Sequence, residues 1–263
     1  MPEKKTISVI VPAYNINQKF NDNLNLLNFE LAASFSDYEI IVVDDGSKNY
    51  QPSFDYLNEK IKFFHYDINQ GKGHALKYGF EKSKGDLVVF IDGDLGLHPR
   101  DIKNFVSLME IYGADIVIGS KRHPYSEVNY PLLRRILSFC YQIFIRIFCD
   151  LKGVRDSQVG LKLFKREVLA ISLPRVLVKK WAFDLELLTV ASHLGYKKIL
   201  EAPIKLDYKS DFGTNSPKEL FHLWQVAWPL LIDTLAIIYR LRILKYYDCI
   251  TKNTENTKTQ KTA

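Results

Sequence analysis

Leu87-Val88-Val89-Phe90-Ile91-Asp92-Gly93-Asp94 is an apolar run that stops abruptly at two carboxylates separated by one glycine. An unbroken apolar run of this length fits a strand buried on both faces. Buried charge is costly unless something pairs with it, so acids at the end of such a strand call for a cation or a polar rim. In an open α/β sheet, ligands bind in the crevice outside the carboxyl ends of the strands. Gly93 lets the backbone turn so that both side chains face that crevice. Alone, the triplet reads equally well as a solvated loop start.

Working outward, short apolar runs alternate with helix-period segments through the first half of the chain. The expected strands are Ile7–Val11, Glu39–Val43, Ile61–His65, Asp86–Ile91 and Asp115–Ile118. Between them lie expected helices at Lys19–Phe35, Pro52–Lys60, Gly73–Lys82 and Pro99–Tyr112. Alternation at this spacing predicts an α/β fold, a mostly parallel sheet with helices on both faces.

The 263 residues are 47% hydrophobic and 25% charged, ordinary for a globular protein. A net charge of +6 suits an anionic partner such as a nucleotide or a phospholipid surface. No block of five like charges occurs, which argues against a nucleic-acid arm. Cys140, Cys149 and Cys249 show neither CxxC spacing nor an even count, so neither a disulfide framework nor a zinc site is expected. The opening residues lack the apolar core of a signal peptide. Together these features lead us to expect a cytoplasmic protein.

Two segments stand apart. Pro131–Asp150 is apolar around most of its circumference, with Arg135, Ser138, Gln142 and Arg146 near one stripe at helical spacing. Leu220–Lys245 has His222, Gln225, Asp233 and Arg240 as its polar stripe and Trp224, Trp228, Leu231, Leu235 and Ile238 elsewhere. Asp233 in mid-segment and the interruption at Pro229 disfavour a membrane span. A helix lying in the bilayer interface fits the second segment better. The first either does the same or packs on the sheet.

Chemistry-bearing residues recur at the ends of the expected strands. Pro12 marks the end of the first, and Tyr14 beyond it either stacks on a base or caps the core. Asp44 and Asp45 follow the second, suited to a base N–H and ribose hydroxyls, or to a capped tight turn. After the third, Gly71-Lys72-Gly73 opens a helix, where backbone N–H groups and an ammonium can meet an anion. Its glycine spacing matches neither the phosphate loop of nucleotide hydrolases nor the dinucleotide fingerprint. Four successive polar clusters at one sheet edge are hard to explain as four separate turns. Paired carboxylates beside a diphosphate call for a hard divalent cation, Mg²⁺ or Mn²⁺.

In order, PAYN (12–15), VDDGS (43–47), NQGKGHA (69–75) and DGD (92–94) resemble the nucleotide-sugar glycosyltransferases of family 2, whose catalytic domain has the GT-A fold. GSKRHP (119–124), RDSQVGLKLF (155–164) and KWAFDLELL (180–188) are similar to the dolichyl- and polyprenyl-phosphate glucosyltransferases. The resemblance spans Ile7 to Tyr247. It implies a GT-A catalytic domain over 1–215 containing an acceptor or interface helix at 131–150. A C-terminal amphipathic helix at 216–247 and a disordered tail at 248–263 would follow.

By the same resemblance, Pro12, Tyr14, Asn15, Asp44 and Asp45 would line the uridine pocket. Lys72 would lie near the nucleotide, and Asp92 and Asp94 would hold the metal on the diphosphate. Mannosyl relatives carry a metal-reaching Gln two residues after the second acid, and here that position is Gly96. Arg122, Arg134 and Arg135 would meet the acceptor phosphate, a task suited to the planar guanidinium. The last two also read as a solvated helix face. Asp156 and Gln158 would flank the sugar or the acceptor. Asp184 and Glu186, two apart on a helix, point apart, and Asp184 is the one expected to face the pocket.

The implied reaction is inverting transfer of a sugar, glucose foremost, from a UDP-sugar to polyprenyl or dolichyl phosphate. The protein would sit peripherally on the cytoplasmic face of a membrane. A lipid monophosphate is already anionic, so little general-base help is needed; positioning and stabilisation of the departing diphosphate remain. A GDP-mannose donor, or a sugar hydroxyl acceptor with Asp156 as base, are the alternative transferase readings. A non-catalytic nucleotide-binding scaffold is the alternative of another class.

Overall fold

A computed structural model describes residues 5–48, 59–126, 132–205 and 217–248, with the backbone alone described at 132–138 and 217–226. Most of the expected helix at Pro52–Lys60, the tail beyond Asp248 and the side chains of Arg134, Arg135, His222, Trp224 and Gln225 lie outside that description.

The strands are β1 (Ile7–Ala13), β2 (Tyr38–Asp45), β3 (Ile61–Tyr66), β4 (Leu87–Phe90), β5 (Ile116–Ser120), β6 (Lys162–Lys165) and β7 (Ile199–Pro203). The helices are α1 (Gln18–Ser34), α2 (Lys72–Lys82), α3 (Asp101–Tyr112), α4 (Leu132–Phe148), α5 (Arg166–Ser172), α6 (Phe183–His193) and α7 (Pro217–Ile238). All five expected strands form. β6 and β7 are additions that four- and five-residue runs broken by Lys162, Lys165 and Glu201 did not announce.

The sheet order is β3-β2-β1-β4-β6-β5-β7. All neighbours run parallel except β6, which is antiparallel to both β4 and β5. The chain winds outward from β1 through β2 to β3, then returns to place β4 on the other side of β1. That reversal opens a crevice between the carboxyl ends of β1 and β4, the switch point at which open sheets bind ligands.

Strand residues alternate between two cores. One face carries Ile10, Ile41, Val43, Val88, Phe90 and Phe164 against α2, α5, α6 and the inner sides of α4 and α7. The other carries Val9, Val11, Ile40, Val42 and Val89 against Leu24, Leu27 and Leu31 of α1 and Ile102, Phe105 and Met109 of α3. α1 starts where the Asn17 side chain accepts the Phe20 N–H at 3.1 Å.

α7 continues through Pro229 and runs into a π-turn at Tyr239–Ile243, so the proline does not interrupt it. Among the described residues, no helix is long and apolar enough to cross a membrane.

Candidate functional site

A cleft of about 730 Å³ lies over the switch point. Its walls include Pro12, Tyr14 and Asn15 after β1, Asp45 at the end of β2, Gly71 and Lys72 at the start of α2, and Asp92 and Asp94 after β4. Gln158 and Asp184 face it from the second half of the chain.

The loops around the cleft are fastened to one another. Asp45 accepts the Tyr66 hydroxyl at 2.8 Å, the Gln70 N–H at 2.7 Å and the Gly71 N–H at 2.8 Å. One carboxylate thereby sets the turn entering α2. Gly71 has φ +96°, and a Cβ there would lie 2.6 Å from the Lys179 carbonyl, so glycine is required on both counts. Asp44 does not reach the cleft. It is fully buried, holds His65 Nδ1 at 2.9 Å and accepts Ser47 Oγ, whose oxygen in turn takes the Asn15 N–H at 2.7 Å. Its expected place in the uridine pocket is thus corrected to that of a brace beneath it.

The acids after β4 differ in surroundings. Asp92 Oδ1 pairs with Lys72 Nζ at 2.7 Å. Its Oδ2 lies against Gly160, where an added Cβ would come within 2.0 Å. Asp94 is exposed, with Oδ1 accepting the Gly96 N–H at 3.0 Å. Lys72 also approaches Asp184 Oδ2 at 3.6 Å, and Asp184 Oδ1 meets Lys162 Nζ at 2.7 Å. Burial pushes the Asp184 carboxyl upward, but Lys162 and Lys72 outweigh it and hold the group below the ordinary carboxylate range. Asp184 and Glu186 do point apart. Glu186 turns into the core, accepting the Leu177 and Val178 N–H groups at 2.9 and 2.6 Å, Arg240 at 2.8 Å and the Tyr247 hydroxyl at 2.6 Å.

Residues 176–181 form a strap along one wall. Lys77 Nζ donates to the Val176 carbonyl, Gly73 N–H to the Lys179 carbonyl at 2.8 Å, and Glu186 takes the two N–H groups between them. The strap presents Lys180 and the exposed Trp181 to the cleft. Neither was singled out individually in the sequence, although KWAFDLELL was, because a lysine and a tryptophan before a helix carry no spacing signal. Lys162 was missed for a similar reason: only the fold shows that it is buried.

Asp156 stands outside the cleft. It is buried, accepts the N–H groups of Lys121 at 3.1 Å and Gln158 at 3.3 Å, and donates its own N–H to Glu201. The expected place beside the sugar is corrected to a loop brace next to Gln158, which does reach the cleft. Arg122 is also absent from the cleft wall; its guanidinium lies 5.9 Å from the Phe139 ring at the start of the described part of α4.

α4 touches the C-terminal element, with Tyr141 and Thr234 hydroxyls 2.9 Å apart and Arg242 of the π-turn donating to the Phe148 carbonyl at 3.2 Å. Their inner sides bury Gln142 and Ile145 of α4 and Thr234 and Ile237 of α7, while Phe139, Ile143 and Ile147 of α4, Trp228, Leu231, Ile232 and Leu235 of α7 and Tyr239 of the π-turn are exposed. Exposed apolar side chains in this number on two touching elements mark a candidate interaction face.

Residues 8–171 match the model for glycosyl transferase family 2. The dolichyl-phosphate beta-glucosyltransferase of Dictyostelium discoideum is 33% identical over 206 residues, covering 72% of this chain and 63% of that protein. The human protein of the same name is 30% identical over 259 residues, covering 91% of this chain and 76% of that one. The chain thus spans about two-thirds of the length of these curated relatives. Among solved structures, Mycobacterium tuberculosis glucosyl-3-phosphoglycerate synthase in complex with Mn²⁺ and UDP-glucose shares the fold. The TM-score is 0.61 at 20% identity, over 88% of this chain and 79% of that one. Sheet order, cleft and the family match agree: this chain belongs to glycosyl transferase family 2.

Proposed function

We propose that this chain transfers a sugar, glucose foremost, from a UDP-sugar to a polyprenyl or dolichyl phosphate at the surface of a membrane. The names of its relatives and the Mn²⁺–UDP-glucose complex of a protein of the same fold support the donor and acceptor classes. The observation that carries the reading is the state of the acids lining the cleft. Asp45 is spent on three hydrogen bonds, Asp92 on Lys72, and Asp184 on two lysines that keep it ionised. Asp94 is exposed at the strand end. Asp184 is held below the ordinary carboxylate range, the opposite of the raised pKa that a general base for a sugar hydroxyl wants. A nucleophile that arrives already charged needs no such base.

The donor set fits a hard divalent cation. Asp92 and Asp94 supply carboxylate oxygens, and no third His, Cys, Asp or Glu joins them in a cluster among the described residues. Mg²⁺ and Mn²⁺ accept one or two carboxylates with phosphate oxygens and water completing the shell. A bound cation would supply Lewis-acid stabilisation to the departing diphosphate. Lys72 at the start of α2 adds positive charge beside the same group. Tyr14, Pro12 and Asn15 would hold the uridine end, with Asp44 and Asp45 bracing the loops beneath it. Gln158 would contact the sugar or the acceptor. Single displacement inverts the anomeric centre, giving a β-linked product from an α-linked donor.

The apolar faces of α4 and α7 would seat the protein peripherally in the bilayer interface, with the exposed Arg242 and Lys245 near lipid phosphates. The cytoplasmic face is the side we assign, in keeping with the unpaired thiols of Cys140 and Cys149. Purified protein incubated with polyprenyl phosphate, a divalent cation and a panel of UDP- and GDP-sugars should give a lipid-linked sugar with UDP-glucose foremost. No product from any donor overturns the proposal.

A further inference from the structure

Asp92, Lys72, Asp184 and Lys162 form a single file of alternating charge, with successive N–O separations of 2.7, 3.6 and 2.7 Å. The far end is anchored. Lys162 is fully buried on β6, its ammonium held between the Val159 carbonyl and Asp184 Oδ1. Lys72 stands between the two acids and lies closer to Asp92 Oδ1 than to Asp184 Oδ2. The other oxygen of Asp92 backs onto Gly160.

From this arrangement we propose that Lys72 is a counter-ion that holds Asp92 back from a divalent cation until a nucleoside diphosphate arrives, so that cation and diphosphate bind as a unit. An ammonium 2.7 Å from a carboxylate oxygen competes directly with a metal ion for that oxygen, and the two positive charges repel. A diphosphate relieves both difficulties. Its oxygens give Lys72 a stronger anion on a flexible four-carbon stem, and they complete the cation's shell. Binding of either partner then favours the other by the same factor. Lys72 is here a positioning residue for the metal site as well as a contact to the diphosphate. The inference rests on the donor-site reading above and is independent of the sugar and the lipid.

The test is Mn²⁺ titration of the full chain, followed by electron paramagnetic resonance, with and without UDP and with no sugar or lipid present. Wild type should bind Mn²⁺ weakly alone and more tightly with UDP. Lys72→Gln should bind Mn²⁺ alone about tenfold more tightly than wild type, and UDP should tighten it less by a similar factor. Lys72→Arg, which keeps the charge, should behave as wild type. A gain in affinity is not something a damaged fold produces. If UDP tightens Mn²⁺ in both proteins but Lys72→Gln is no tighter without UDP, the counter-ion role is overturned while the donor-site reading stands. If UDP alters Mn²⁺ binding in neither, the donor-site reading itself fails and the inference with it.

Discussion

Asp92 and Asp94 share a strand end but not a situation. Asp92 is paired and backed by protein, whereas Asp94 is exposed and accepts one N–H. Replacing Asp94 with Asn should therefore leave thermal stability within about 0.5 kcal/mol of wild type. Transfer should fall by about 100-fold or more, the scale of losing one electrostatic contact to the reacting group; steady-state kinetics and a melting curve separate the two effects. Gly160→Ala acts from the opposite side. Its Cβ would collide with Asp92 Oδ2, so Mn²⁺–UDP affinity should drop, as titration calorimetry would read, without any change of charge. Much of this was legible in the sequence, because acids after apolar runs stand out. Asp44 stands at the same strand end as Asp45, and Asp156 lies in the RDSQVGLKLF stretch (155–164), yet both sit outside the cleft and brace loops. Whether such a carboxylate faces the crevice or the loop beneath it depends on hydrogen bonds to Ser47 and His65 for Asp44 and to the Lys121 N–H for Asp156, partners that spacing does not reveal.

At the scale of elements, α4 and α7 show what a sequence pattern leaves open. The polar stripe of α4 is legible in the sequence, but its direction is not. Periodicity puts Gln142 and Arg146 near one stripe and is silent on which side of the helix meets the protein. The structure turns Gln142 inward and leaves Phe139, Ile143 and Ile147 exposed, with Cys140 on that same outer side. Cys140 thus serves as a reporter. In buffer it should react with a maleimide well ahead of Cys149, whose thiol is buried and pushed up to about 11 by desolvation. Anionic vesicles should protect Cys140 if this face enters the interface; unchanged labelling in their presence would contradict that. β6 and β7 escaped the sequence for another reason. Both are short, and charged residues within them break the apolar pattern; the fold accommodates these by pairing Lys162 with Asp184 and Lys165 with Asp115 and by giving Glu201 the Arg155 and Asp156 N–H groups.

Across the whole molecule, Glu186 joins the apolar C-terminal element to the cleft. One oxygen receives the strap that presents Lys180 and Trp181, while the other receives Arg240 and Tyr247 from beyond α7. Arg240→Ala leaves a buried carboxylate short of its cation and should cost about 3 kcal/mol of stability, visible in chemical denaturation. Point substitutions on the outer face of α7, such as Ile232→Gln with Leu235→Gln, are therefore the sound probe of membrane seating. Truncation would remove Arg240 and Tyr247 and disturb the strap together with the anchor.

The central claim is that the acids of this cleft serve a nucleophile that already bears its charge. Its most direct measurement is side-by-side transfer from UDP-glucose to a polyprenyl phosphate and to a neutral sugar acceptor, with divalent cation present in both. The account predicts a β-linked lipid phosphate sugar from the first and no transfer to the second. Comparable kcat/KM for the neutral hydroxyl would contradict it.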